Sequence, residues 1–282
     1  MYLPAELLSA RVLITVKTYP LPSSKYDELV CTAGLLEDGK WIRIYPIPFR
    51  SLSYEKQYKK YTWIELDLIR NTSDFRPESY KPRRMADEAI KVMTRVNTDN
   101  NWAQRKSYVF KEVFTSLNAL IKLAKSEEKK SLGTLKPKEI IDFVIEPTER
   151  EWKKEWRDQL KQYNLFDRDE TGQGKERKVI PKLPYKYSYK FLTEGDNKPR
   201  KLMIEDWELG ALYWRSYYEN GQDEVVANRQ VRKRYAEEFL SRKELYFFMG
   251  TMQLHHFTSG SPFIIIGVFY PPKAEAHQTL MF

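Results

Sequence analysis

Hydrophobic and polar positions alternate along several short stretches of the chain, and the first of consequence is Leu29 to Arg50, LVCTAGLLEDGKWIRIYPIPFR. Two strand-like runs flank Glu37-Asp38-Gly39-Lys40, and Asp-Gly favours a two-residue turn because both positions tolerate positive φ. That turn predicts a hairpin in which Leu35 faces Ile42, Gly34 faces Arg43, Ala33 faces Ile44 and Thr32 faces Tyr45. One face is then Leu35, Ile42, Ala33 and Ile44, an apolar set that needs a core. The other is Trp41, Arg43 and Tyr45, with only Gly34 opposite the arginine. An aromatic–guanidinium–aromatic row suits stacking on bases. It equally suits a second small core, with Arg43 paired to a carboxylate.

The same reading applies along the rest of the chain. Arg11–Tyr19 is a strand ending at Pro20, followed by a proline-fixed loop with Ser23, Ser24 and Lys25, which are phosphate ligands or ordinary turn residues. Pro46 and Pro48 stop regular pairing, a helix or turn covers Tyr54–Tyr61, and Thr62–Arg70 alternates as a strand. Asn71–Arg84 is a polar loop carrying Arg76, Lys81, Arg83 and Arg84. A helix is predicted over Trp102–Ser126, with Phe110, Val113, Phe114, Leu117, Leu120, Ile121 and Ala124 as its core stripe. Ile140–Glu146 is a strand, and Thr148–Glu151 is a capping box opening a helix with Trp152, Trp156 and Leu160 on one face. Residues 166–182 are rich in glycine and charge and read as a mobile loop.

Beyond that loop, YKYSYKF (Tyr185–Phe191) places Tyr185, Tyr187, Tyr189 and Phe191 on one face, as a core row or a stacking platform, with Arg200–Ile204 as the partner strand. Helices follow over Asp206–Tyr218 and Asp223–Arg242. Strands close the chain at Leu245–Gly250 and Phe263–Tyr270, and FIIIGVF in the latter reads as buried on both faces. The predicted class is α+β: an N-terminal antiparallel sheet or small barrel, a helical middle, and a C-terminal mixed sheet with helices. The predicted division is 1–100, 101–165 and 183–282, with a single integrated domain as the alternative.

Charge sharpens this picture. The 282 residues carry 48 basic against 39 acidic side chains, a formal charge of +9, with 14% aromatics including 19 tyrosines. A disordered chain has few aromatics; a basic chain rich in them suits nucleic acid, where phosphates meet Lys and Arg and bases meet rings. A single cysteine, Cys31, excludes an internal disulfide and a multi-cysteine zinc site, and suits a reducing cytosol. No apolar run approaches ~18 residues, so no membrane span is expected, and the first residues do not read as a signal peptide.

Catalytic signals are thin. His255 and His256 are adjacent in a loop and His277 lies near the end. No Walker loop, HxxxH, GxSxG or dinucleotide fingerprint is present, so no cofactor is expected. Asp167 with Asp169, and Glu205, Asp206 and Glu208, are metal-ligand candidates or surface acids. Arg43, Glu28 and His255 or His256 would form a nucleotide-handling site only if the fold joined them.

The stretches VKTYPLPSSKYDELVCTAG, WIRIYPIPFR, LMIEDWELGALYW and PFIIIGVFYPP resemble those of an uncharacterised bacterial family of hypothetical proteins. That resemblance covers most of the chain. It implies a bacterial cytosolic protein and a single integrated unit, and it carries over no activity and no catalytic residue. The expected function is nucleic-acid binding: stacking by Trp41 and Tyr45, contacts from Arg43 and Arg50, and phosphate contacts from Arg76, Arg83 and Arg84. One alternative is an enzyme acting on nucleic acid or nucleotide, such as a nuclease or base-modifying activity in bacterial defence. Another is a structural subunit with a protein partner.

Overall fold

A computed structural model describes residues 3–23, 27–154 and 180–273, with backbone alone for 21–23 and 27–29. Along the first half run β1 (Glu6–Lys17), β2 (Leu21–Ser23), β3 (Asp27–Leu36), β4 (Trp41–Ile47), β5 (Thr62–Arg70), β6 (Ser79–Pro82), helix α1 (Ala86–Ala89) and β7 (Lys91–Arg95). β1 pairs antiparallel with both β3 and β5. β3 pairs antiparallel with β4, β4 runs parallel to β6, and β6 returns antiparallel to β5. The ring β1-β3-β4-β6-β5-β1 is therefore closed. Numbered in chain order, its strands follow 1-2-3-5-4, with only the third and fifth parallel. This is the connectivity of the OB barrel. Val12, Ile14, Ile42, Ile44, Ile64, Leu66 and Tyr80 fill its interior.

The second half contains α2 (Asp99–Val109), α3 (Leu117–Lys125), β8 (Leu132–Leu135), β9 (Glu139–Pro147), β10 (Tyr185–Leu192), β11 (Arg200–Met203), α4 (Trp207–Glu219) and α5 (Glu224–Arg232). A π-helical turn, Lys233–Glu238, continues α5 into α6 (Phe239–Arg242), and β12 (Tyr246–Thr251) and β13 (Phe263–Phe269) follow. β10 lies between β9 and β11, and β12 between β8 and β13, all antiparallel. Ile204, just past β11, bridges Ile265 of β13 in parallel. These are two three-stranded sheets joined by that bridge. Taking β8 and β9 as two arms of one bent strand gives the order 1-2-3-5-4 with a parallel third–fifth contact, and the pair of sheets is called the second barrel. The chain thus repeats one topology, inserting helices between the third and fourth strands of its second barrel. Phe143, Tyr187, Tyr189, Phe191, Phe247 and Ile265 fill this interior, under α3 and α4. The tyrosine row of β10 is core, because Tyr189 and Phe247 stack at 5.1 Å inside the barrel.

A third cluster joins the two halves. Leu13, Val16, Ala33, Leu35 and Trp41 from the outside of the first barrel meet Leu132, Tyr246, Phe248, Ile266 and Phe269 from the second. Strand faces that water would otherwise cover are buried against each other. This explains why β1 is buried on both faces and not in simple alternation.

The hairpin register differs from the sequence expectation by one residue. Leu36 N–H donates to Lys40 O (2.9 Å), Gly39 N–H donates to Leu36 O (2.8 Å), and Gly39 has φ 85°. The loop is thus three residues ending in a left-handed glycine, not a two-residue turn. Leu35 pairs with Trp41, Gly34 with Ile42, Ala33 with Arg43 and Thr32 with Ile44. A one-residue slip redistributes the faces: Ile42 and Ile44 point into the barrel, whereas Leu35 and Ala33 join Trp41 in the seam.

Other boundaries also move. The long helix expected over Trp102–Ser126 is interrupted: residues 110–116 separate α2 from α3, and Phe114 forms a parallel bridge with Leu135. Short strands β6, β7 and β8 lie where loops or a helix end were expected, since four or five residues give too little periodicity to read. α3 and β8 pack with the second barrel, so the helical middle is not a separate unit. Trp156, Leu160, Asp167, Asp169 and His277, and most of the 166–182 loop, lie outside the described residues.

Gly34 faces backbone, not open space. A Cβ there would sit 2.3 Å from Leu13 O and 2.9 Å from Val12 Cγ1. Gly34→Ala is expected to cost about 3 kcal/mol by overpacking, measured by urea unfolding; an unchanged midpoint contradicts this close approach.

Candidate functional site

Arg43 and Arg76 stand 33 positions apart in the chain and meet on one atom. Arg43 Nη1 lies 3.4 Å and Arg76 Nη1 2.5 Å from the carbonyl oxygen of Thr251, and Arg43 Nη2 lies 3.5 Å from Ser131 O. Asp74 binds Arg76 through Nη2 at 2.5 Å and accepts from Ser79 Oγ at 2.7 Å. Glu78 binds the backbone N–H and hydroxyl of Ser131. Buried charge is tolerated only with such partners. Arg43 is 3% exposed, so its guanidinium serves as a polar rivet between the barrels and not as a base contact. Its partners are carbonyls, not the carboxylate that the core reading anticipated.

His256 belongs to the same seam. Ala124 O can only accept, so His256 Nε2–H donates to it (2.8 Å) and Nδ1 accepts from the Thr251 hydroxyl (2.8 Å). Burial lowers its pKa below the ordinary value. This neutral, doubly engaged ring is not placed to act as a base, and His255 is exposed beside it.

The remaining expected site residues divide by exposure. Trp41 is buried edge-on against Phe248, with centroids 5.2 Å apart, and offers no stacking surface. Arg76 is buried as described. Tyr45 alone of the outward row reaches solvent, at 36% exposure. Arg50, Arg83 and Arg84 are exposed, with Arg83 3.3 Å from Glu6. Burial pushes the Cys31 thiol up, away from a reactive thiolate. Among the described residues, no group of three or more His, Cys, Asp or Glu side chains could hold a metal ion. No helix among them is long and apolar enough to cross a membrane.

Above the arginine seam is a surface that sequence reasoning missed. Phe75, from the β5–β6 loop, stacks on Phe257, from the β12–β13 loop, with centroids 4.9 Å apart and planes at 26°. Gln253 Nε2 donates to Ser73 O at 2.9 Å, tying the loops together. These loops join the fourth and fifth strands of the two barrels, so equivalent loops of the two repeats meet here. Phe257 is 51% exposed and Phe75 39%, and Met252 and Leu254 are exposed alongside. Nothing local marks Phe75 or Phe257; they are ordinary loop phenylalanines until the two barrels are docked.

A second unanticipated cluster centres on Asp206, which caps α4 through Glu208 N–H. Lys60 Nζ lies 2.6 and 2.7 Å from its two carboxylate oxygens. Burial opposes the Lys60 ammonium, but Asp206 and Glu208 hold its pKa above the usual value. Nearby, Lys17 Nζ donates to Tyr58 O (3.0 Å) and sits 4.1 Å from the Phe49 ring centroid and 5.3 Å from that of Trp207. Of the carboxylates suspected as a metal site, Asp206 and Glu208 are therefore tied to an inter-barrel ion pair. The lysine of that pair lies 146 positions from Asp206.

With this geometry in hand, family models account for both halves. Residues 113–282 match the family described as Domain of unknown function (DUF8757), which is more than half of the chain. The chain belongs to the DUF8757 family. Residues 8–111 match Domain of unknown function (DUF8758). The border between the DUF8758 and DUF8757 matches falls between α2 and α3, so each match contains one barrel. No curated protein matches the chain.

The DUF8757 contact with the first barrel carries a pH signature. Burial and the neighbouring Lys60 lower Lys17 from 10.5 to about 8. Between pH 8 and 10.5 the folded state then binds fewer protons at Lys17 than the unfolded state, so stability rises with pH through that window. Wild type should gain stability relative to Lys17→Met between pH 8 and 9.5 in urea unfolding. A constant difference contradicts the buried ammonium.

Proposed function

We propose that the protein binds single-stranded nucleic acid across the rim where the two fourth-to-fifth-strand loops meet. The observation that carries this reading is the stacked, half-exposed pair Phe75–Phe257, one ring from each barrel. Large apolar rings held in water offer a stacking platform, and base–aromatic stacking contributes about 1–3 kcal/mol per base whatever the sequence. OB barrels bind oligonucleotides on the face of their second and third strands and on these loops. In the first barrel that face is covered by the second barrel, so the loops carry the contact. Tyr45 and the basic excess of the whole chain add ring surface and positive potential. Shared topology supports this reading by analogy only; the aromatic rim supplies its chemistry. A lone Cys31 suits a reducing, cytosolic setting.

The same rim, with Met252 and Leu254, suits docking of a protein partner. Salt dependence separates the two readings, because phosphate contacts release counterions. Labelled single-stranded DNA and RNA should bind with affinity that falls steeply with salt, measured by fluorescence anisotropy. Phe75→Ala and Phe257→Ala should each weaken binding about fivefold or more and leave the fold intact. Absence of salt-dependent binding, or full affinity in both variants, contradicts the proposal.

A further inference from the structure

The helices inserted into the second barrel line an open cleft of about 380 Å³. α4 contributes Glu208 and Arg215 to its wall, and α5 with its π-helical turn contributes Gln230, Lys233, Arg234 and Glu238. π-Turns break the regular helical ladder and occur often at functional sites. Here the turn carries two of the three cations of the cleft.

Each of the two carboxylates lies beside a cation, and for Glu208 that cation is already bound by Asp206. Glu208 lies 3.5 Å from the buried Lys60, and Glu238 lies 2.6 Å from Arg234. Arg234 is fixed further by the stacked rings of Phe239 and Tyr270, which lie 5.1 and 5.7 Å from its guanidinium carbon. Among the described residues, Arg215 and Lys233 have no carboxylate within 4.0 Å. The cleft therefore presents a guanidinium, an ammonium and the Gln230 amide, and its three cations outnumber its two carboxylates by one. A fork of N–H donors beside a point charge complements a dianionic oxyanion. A cleft of that volume falls in the range of small-molecule sites.

We propose that this cleft binds a phosphate monoester, carried either by a free nucleotide or by the 5′ end of a nucleic-acid strand. Arg215 and Lys233 bind the phosphate oxygens, Gln230 donates a further hydrogen bond, and Arg234 with Tyr270 forms the fixed wall. The site is separate from the aromatic rim and stands whether or not the rim binds nucleic acid.

The test is calorimetric titration of the full chain with AMP, with adenosine, and with a short oligonucleotide bearing a 5′-phosphate or a 5′-hydroxyl. AMP is expected to bind and adenosine not. A strand-end preference appears only if the second source is the ligand. The double variant Arg215→Glu/Lys233→Glu should weaken AMP at least about tenfold. Arg215→Gln, which leaves no repulsive charge, should give a smaller loss in the same direction. Both positions are exposed, so the melting temperature should hold and fold loss is distinguishable from site loss. Failure of AMP and of the 5′-phosphorylated strand to bind above their unphosphorylated controls overturns the proposal. So does AMP affinity unchanged in the double variant.

Discussion

The burial of one barrel wall against the other is the constraint from which the rest of this structure follows. β3 and β4 turn one face into their own barrel and the other onto β12 and β13, so neither face meets water along Trp41–Ile44. Trp41 against Phe248 supplies the apolar centre of that contact. Polar groups trapped beside it need partners: Arg43, Arg76 and His256 bind the carbonyls of Ser131, Thr251 and Ala124, Asp74 accepts from Arg76, and Glu78 accepts from the N–H and hydroxyl of Ser131. Lys60 and Asp206 perform the same service elsewhere on the contact. Loss of one partner from such a pair costs about 3–5 kcal/mol, because it strands a buried charge.

Docking also decides which surface is left to meet a ligand. It takes away the strand face that an isolated barrel of this connectivity would offer, and it brings the loops holding Phe75 and Phe257 together. The rim is thus a product of the tandem arrangement: each barrel supplies one ring of the Phe75–Phe257 stack. The cleft between α4 and α5 has a different origin. It lies in the helical insertion that only the second repeat carries, and it takes its charge from side chains that the inter-barrel ion pair leaves unneutralised.

Local pattern showed most of the regular elements and little of the site. Alternation marked Thr62–Arg70 with the bounds that the structure has, and it marked YKYSYKF as a strand, each long enough for a period of two to repeat; FIIIGVF was marked by its unbroken apolar run. The hairpin was visible, but its register was not, because Asp-Gly serves a two-residue turn and a three-residue loop ending in left-handed glycine equally well. The fate of Trp41 and Arg43 depended on that register and on strands about 200 positions away. Lys60 with Asp206, and Phe75 with Phe257, are likewise long-range pairs, and their own neighbourhoods carry no trace of them. Part of the notable chemistry in this protein is therefore made by docking and not by motif.

Hydrogen–deuterium exchange of the full chain, with and without a single-stranded oligonucleotide, tests the central claim most directly. Amides of Trp41–Ile47 should exchange slowly in both states, while added protection appears over 71–78 and 252–262. Fast exchange of that strand in the free protein, slowed by the oligonucleotide, would show that the β3–β4 face is open and binds ligand itself, and would contradict the account.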